Sequence, residues 1–112
     1  MKPAKDDRVY LDHIAEAISR IATYCEAGRD EFMRNRMIQD AVTRNLEIIG
    51  EAAKQVSDAT RRKRPDIPWS DAARLRDFLI HHYMGVDLLR VWNVVESHLP
   101  ALRAAIEQLL KS

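Results

Sequence analysis

Residues 34 to 56, "RNRMIQDAVTRNLEIIGEAAKQV", decide the fold class. Met37, Ala41, Ile48, Ile49, Ala52, Ala53 and Val56 recur at helical spacing, so the stretch predicts one long amphipathic helix. Small residues crowd its C-terminal end, where they let a neighbouring helix come close, although alanine is also simply a good helix former. Asn45 and Glu47 sit among these apolar positions and read as a solvated or locally hydrogen-bonded pair.

On the N-terminal side, Leu11, Ile14, Ile18, Ile21 and Cys25 follow one another at steps of three and four. They mark the buried stripe of a first helix, with Asp6 and Asp7 placed to cap and charge its start. Gly28 is a natural stop for it. On the C-terminal side, residues 57 to 70, "SDATRRKRPDIPWS", form a break, because Pro65 and Pro68 forbid a continuous ladder of helix hydrogen bonds. The segment has room for a short helical turn. Its Arg61-Arg62-Lys63-Arg64 run reads as a solvated loop or as a contact for a phosphate backbone.

Ser70 or Asp71 is placed to cap a third long helix, and Gly85 to end it. Asp87 then caps a helix carrying Leu88, Val91, Trp92, Val95 and Leu99. Pro100 either kinks that helix or opens a fifth, with Leu102, Ile106, Leu109 and Leu110 apolar. No stretch alternates with period two, and no internal repeat is evident. The expectation is an all-α, up-and-down bundle of four to five helices packed antiparallel, with residues 1–112 forming a single domain.

Composition narrows the function. Hydrophobic residues make up 46% and charged residues 31%, which is globular rather than disordered. Eighteen basic against seventeen acidic residues leave a formal charge of +1, so polyanion binding has to come from local clustering. The single cysteine, Cys25, excludes a disulfide framework or a cysteine zinc site within one chain. No apolar run approaches the ~18 residues needed to span a bilayer. The N-terminus lacks a signal-peptide core, and a cytoplasmic location is the expectation.

The densest side-chain chemistry lies in the third long helix, at residues 76 to 83, "RDFLIHHY". On a helix, Leu75, Leu79 and His82 share one stripe flanked by Phe78, so His82 reads as a packed histidine. His81 lies four residues after Asp77, within reach of a carboxylate that would orient the imidazole and favour its protonated form. Arg76 and His81 are five residues apart, about 140° on an ideal helix. Either the helix end distorts at His81, or a second protomer brings the matching residues across an interface.

Arginine plus histidine without a metal suits RNA phosphodiester cleavage. A histidine base removes the proton of the 2′-hydroxyl, and a guanidinium stabilises the charge that builds on the phosphoryl oxygens. The product would carry a 2′,3′-cyclic phosphate, and no cofactor or metal is expected. Other chemistries lack their motifs: the chain has no His-Glu-x-x-His, no Gly-rich phosphate loop and no Gly-x-Ser-x-Gly. Trp69 and Trp92 fit packing positions better than a base-stacking platform.

Arg76, four residues, His81, one residue, Tyr83 resembles the signature of HepT-like proteins, ribonuclease toxins of the HEPN superfamily. Residues 39–57, "QDAVTRNLEIIGEAAKQVS", and 67–92, "IPWSDAARLRDFLIHHYMGVDLLRVW", also look like family sequence. With the first helix, the resemblance covers nearly the whole chain. It implies a helical homodimer whose two Arg–His motifs meet in an interface cleft, with Arg76 and His81 catalytic. The residue after the arginine is often asparagine in the superfamily; here it is Asp77, which makes an accessory role there a departure from the pattern.

The resemblance further implies a partner, an MntA-type minimal nucleotidyltransferase antitoxin that transfers AMP onto the hydroxyl of Tyr83. Without it, Tyr83 would read as an interface or core tyrosine. Two functions follow: a metal-independent endoribonuclease toxin, or a catalytically silent helical partner that positions a nucleotide or substrate for a nucleotidyltransferase. Arg61, Arg62, Lys63, Arg64 and Arg74 are candidate RNA-steering charges. DNA reading is not expected, because no recognition helix stands behind the basic run.

Overall fold

The computed structural model describes the backbone of residues 5–81 and 87–111 and the side chains of residues 6–76 and 87–111. Among the described residues the chain is all α-helix. Five longer helices, α1 (Lys5–Tyr24), α3 (Arg36–Gln55), α5 (Trp69–His81), α6 (Leu88–Ser97) and α7 (Leu99–Lys111), meet the expected number. Two short ones, α2 (Arg29–Arg34) and α4 (Asp58–Lys63), link them. No helix among the described residues is long and apolar enough to cross a membrane.

The α1 stripe is buried as the periodicity requires: Leu11, Ile14, Ile18 and Ile21 lie in the core, while Cys25 falls in the turn beyond the helix and is half-buried. Gly28 adopts a positive φ of 93° in the link to α2, a conformation that costs glycine little. α3 differs from the sequence expectation in start and in register. Arg34 ends α2, and Asn35 breaks the chain and caps α3 by accepting from the Ile38 amide at 3.2 Å. Met37, assigned to the apolar face, is 81% exposed. The buried stripe runs instead through Val42, Leu46, Ile49, Ala53 and Val56. Periodicity finds an apolar face, but only the neighbours decide which edge of it they cover: in the first turn of α3, Ile38 packs against the core and Gln39 bonds the Phe32 and Met33 carbonyls, while Met37 faces outward.

α3 is the central helix, packed against α1 on one side and α5 on the other; α7 covers α1 and pairs with α6, which also meets α2. Asp7, near the start of α1, bonds Ser57, just past the end of α3, so α1 and α3 run antiparallel. Asp87 caps α6 through the amides of Leu89 and Arg90. Pro100 sits in the first turn of α7, so it opens a fifth helix rather than kinking the fourth. α5 starts at Trp69, earlier than Ser70 or Asp71 would cap it, with the Pro68 carbonyl accepting from the Ala72 amide. Trp69 is buried and donates to the Arg64 carbonyl, and Trp92 lies against Phe32 at 5.3 Å between rings. Gly85, the expected stop of α5, lies outside the described residues.

Close approach of α3 and α5 depends on Gly50. A Cβ there would collide with Cβ of Arg76 and stand 2.7 Å from the Ala72 carbonyl oxygen. Alanine would gain about 1 kcal/mol of helix propensity, yet that backbone atom cannot swing aside. Gly50→Ala is therefore expected to lower stability by a net ~1–2 kcal/mol, because the overpacking outweighs the propensity gain. Urea unfolding measures this directly; a variant as stable as wild type would show that the two helices separate at no cost.

Candidate active site around Arg76

Arg76 projects from α5 into a groove of about 490 Å³ walled by Tyr10 and His13 of α1 and by Arg44, Glu47, Ile48, Glu51, Ala52 and Gln55 of α3. The α1–α3 pairing forms the floor, and the Gly50 contact brings α5 close enough to put Arg76 on the rim. Its Nε lies 3.2 Å from Oε2 of Glu51, with the two side chains 30% and 53% exposed. Arg44 and Glu47 form a second ion pair at 3.5 Å in the same groove. Tyr10 and His13 stand edge to face, 6.3 Å between ring centroids.

α5 is helical through His81, so Arg76 and His81 belong to one helix. The side chains of Asp77, His81, His82 and Tyr83 lie outside the described residues. The structure thus places Arg76 and its setting, and leaves its proposed partners to the sequence.

The basic run stands elsewhere, and three of its members lie on a helix rather than in a loop. Arg61 donates to the Ala53 and Lys54 carbonyls at 2.8 and 3.2 Å, closing the end of α3. Arg64 grips Asp66 through two nitrogens and reaches Gln108 on α7 at 2.6 Å. Arg74 pairs with Asp71 at 2.6 Å. Lys63 is half-buried and lends its charge to Asp7, whereas Arg62 is exposed. Arg64 and Arg74 line a second groove of about 800 Å³, between α3 and α5 on one side and α6 and α7 on the other. None of these five cations lines the groove of Arg76.

The ribonuclease HepT-like family model matches residues 14–109. A protein of Thermococcus cleftensis named "Probable ribonuclease HepT" is 44% identical over 103 residues, covering 91% of this chain and 94% of its own length. One of Methanocaldococcus jannaschii, named "Gamma-glutamylcyclotransferase and putative RNase", is 42% identical over 108 residues, which are 96% of this chain. This chain spans only 49% of that relative's length. The chain belongs to the HepT-like ribonuclease family. No solved structure matches it.

Within this HepT-like protein, the motif singles out Arg76 but says nothing of its setting. Glu51 was passed over because it looks like one more solvated carboxylate on a polar face. The signal was the residue before it: an isolated glycine inside a helical pattern costs stability, so it points to a close contact. Asn45 is the opposite case. It is buried and donates to the Ala41 carbonyl at 2.9 Å, the local bonding expected of it, but its side-chain oxygen has no partner among the described residues.

Proposed function

We propose that this protein is the toxin of a toxin–antitoxin pair, an endoribonuclease that cuts RNA without a metal ion. Arg76 carries the reading: the motif arginine of a ribonuclease family is seated at a helix contact, on the rim of an open groove, with its guanidinium held. His81 takes the proton of a ribose 2′-hydroxyl, and the 2′-oxygen attacks the adjacent phosphorus. The bond to the 5′-oxygen breaks, that oxygen takes up a proton from water and leaves as a 5′-hydroxyl, and a 2′,3′-cyclic phosphate remains. Arg76 offers its fork of donors to the charge that gathers on the phosphoryl oxygens.

Five residues of ideal helix separate Arg76 from His81 by about 140°. A homodimer relieves that separation, since the arginine of one protomer and the histidine of its partner then meet across the interface. The accessory role of Asp77 belongs to this reading, as does steering of RNA by the 61–64 run and Arg74. Neutralisation by an MntA-type nucleotidyltransferase fits the same site: AMP on Tyr83 would set a negative charge and a bulky nucleoside two residues from His81.

One observation favours the alternative, a silent partner that positions substrate for a nucleotidyltransferase. Both groove arginines, Arg44 and Arg76, are paired with carboxylates. RNA cleavage in EDTA separates the two readings, using protein whose intact mass shows no added AMP. Wild type is expected to cut and leave 2′,3′-cyclic ends, and His81→Ala to be slower by roughly 10²- to 10⁴-fold, the worth of a placed general base. An unmodified protein that cuts nothing, indistinguishable from His81→Ala, would hand the lead to the binding-module reading.

A further inference from the structure

We infer that Glu51 is the positioning residue for Arg76, fixing the plane of its guanidinium before RNA arrives; this rests on the ribonuclease reading. Two consecutive residues of α3 define the arginine from both ends. Gly50 receives the base of the side chain, since only a missing Cβ lets the Arg76 Cβ and the Ala72 carbonyl come so near. Glu51, the next residue, engages the other end at Nε, 3.2 Å away.

Stability does not account for the pair. With side chains 30% and 53% exposed, it belongs to the class of ion pairs that add little to folding. Chemistry accounts for it better. A free arginine loses rotamer freedom when it grips an oxyanion, and a guanidinium already held in place has spent that entropy in folding. A carboxylate at Nε also fixes the direction of the two Nη groups, the fork that meets a phosphoryl group in bidentate fashion. Glu51 thereby acts on the reaction through Arg76 without touching substrate.

The test compares Glu51→Ala and Glu51→Gln with wild type in steady-state RNA cleavage, with melting temperatures measured alongside. Glu107→Ala, which breaks the exposed Arg103–Glu107 pair on α7, controls for loss of a surface carboxylate. Glu51→Ala is expected to lower kcat roughly 10- to 100-fold, the cost of an active-site group about 1 Å out of place. KM and melting temperature should stay at wild-type values. Glu51→Gln keeps an acceptor for Nε–H and should fall between the two, while Glu107→Ala behaves as wild type. A Glu51→Ala protein as fast as wild type or faster overturns the inference, as does a loss that appears in KM or follows a fall in melting temperature. Those outcomes leave the ribonuclease reading standing. A wild-type protein that cuts no RNA removes both.

Discussion

Arg76→Ala is expected to lower kcat for RNA cleavage roughly 10²- to 10³-fold, the range lost when a donor to a developing oxyanion is removed. The fold should survive. Alanine keeps the Cβ that fills the space left by Gly50, and the deleted atoms lie on a groove rim in a partly exposed ion pair. Arg76→Lys should be nearly as poor as alanine despite its charge, because an ammonium is a point charge without a planar fork. Retention of most activity by the lysine variant would reduce Arg76 to a general electrostatic contact. Single-turnover rates at saturating RNA, with melting temperatures for each variant, make the measurement.

Removing Asp7 should produce the largest loss of stability. Its carboxylate is 3% exposed and accepts from the Ser57 amide at 2.9 Å, the Ser57 hydroxyl at 2.6 Å and the Thr60 hydroxyl at 2.6 Å. It pins the start of α1 to the start of α4. Asp7→Ala leaves these donors without their partner and is expected to cost about 3 kcal/mol, the range for hydrogen bonds to a buried charged group. Burial pushes the carboxyl up. Bonds from the Ser57 and Thr60 side chains and the Ser57 amide, with the charge of Lys63, more than offset it, so its pKa lies below the ordinary 3.8.

A carboxyl whose folded pKa is depressed stabilises above its unfolded pKa, and that contribution fades as pH falls through the folded value. The charge-dependent advantage of wild type over Asp7→Asn should therefore be complete at pH 7 and shrink below about pH 4, near the reference carboxylate pKa. Urea titrations at pH 7 and pH 3 read both effects. A wild-type advantage that stayed constant between them would mean that the carboxylate's charge contributes nothing.

Asp7 also shows where sequence reading stops. Its place in the first turn of α1 marked it as a local helix-starting charge, yet its hydrogen bonds reach residues fifty and more positions away. Arg61 and Arg64 were read as solvated or phosphate-binding, and they close the end of α3 and tie α7 to the loop before α5. A charged side chain looks the same in sequence whether its partner is water, RNA or a distant carbonyl. The α1 stripe and the Asp87 cap were legible because each depends only on residues within a turn or two, whereas the choice at Pro100 between a kink and a new helix was left to the structure.

By itself, then, the sequence determined the existence of the long helices, the fold class and the family motif from Arg76 to Tyr83, because periodicity, caps and motif spacing are local properties of a chain. Only the tertiary structure decided which edge of α3 is buried, that Gly50 is the seat of Arg76, and that Glu51 of α3 engages its guanidinium. Those facts arise where α3 meets α5, two helices separated by a broken segment, and no local pattern encodes the distance between them.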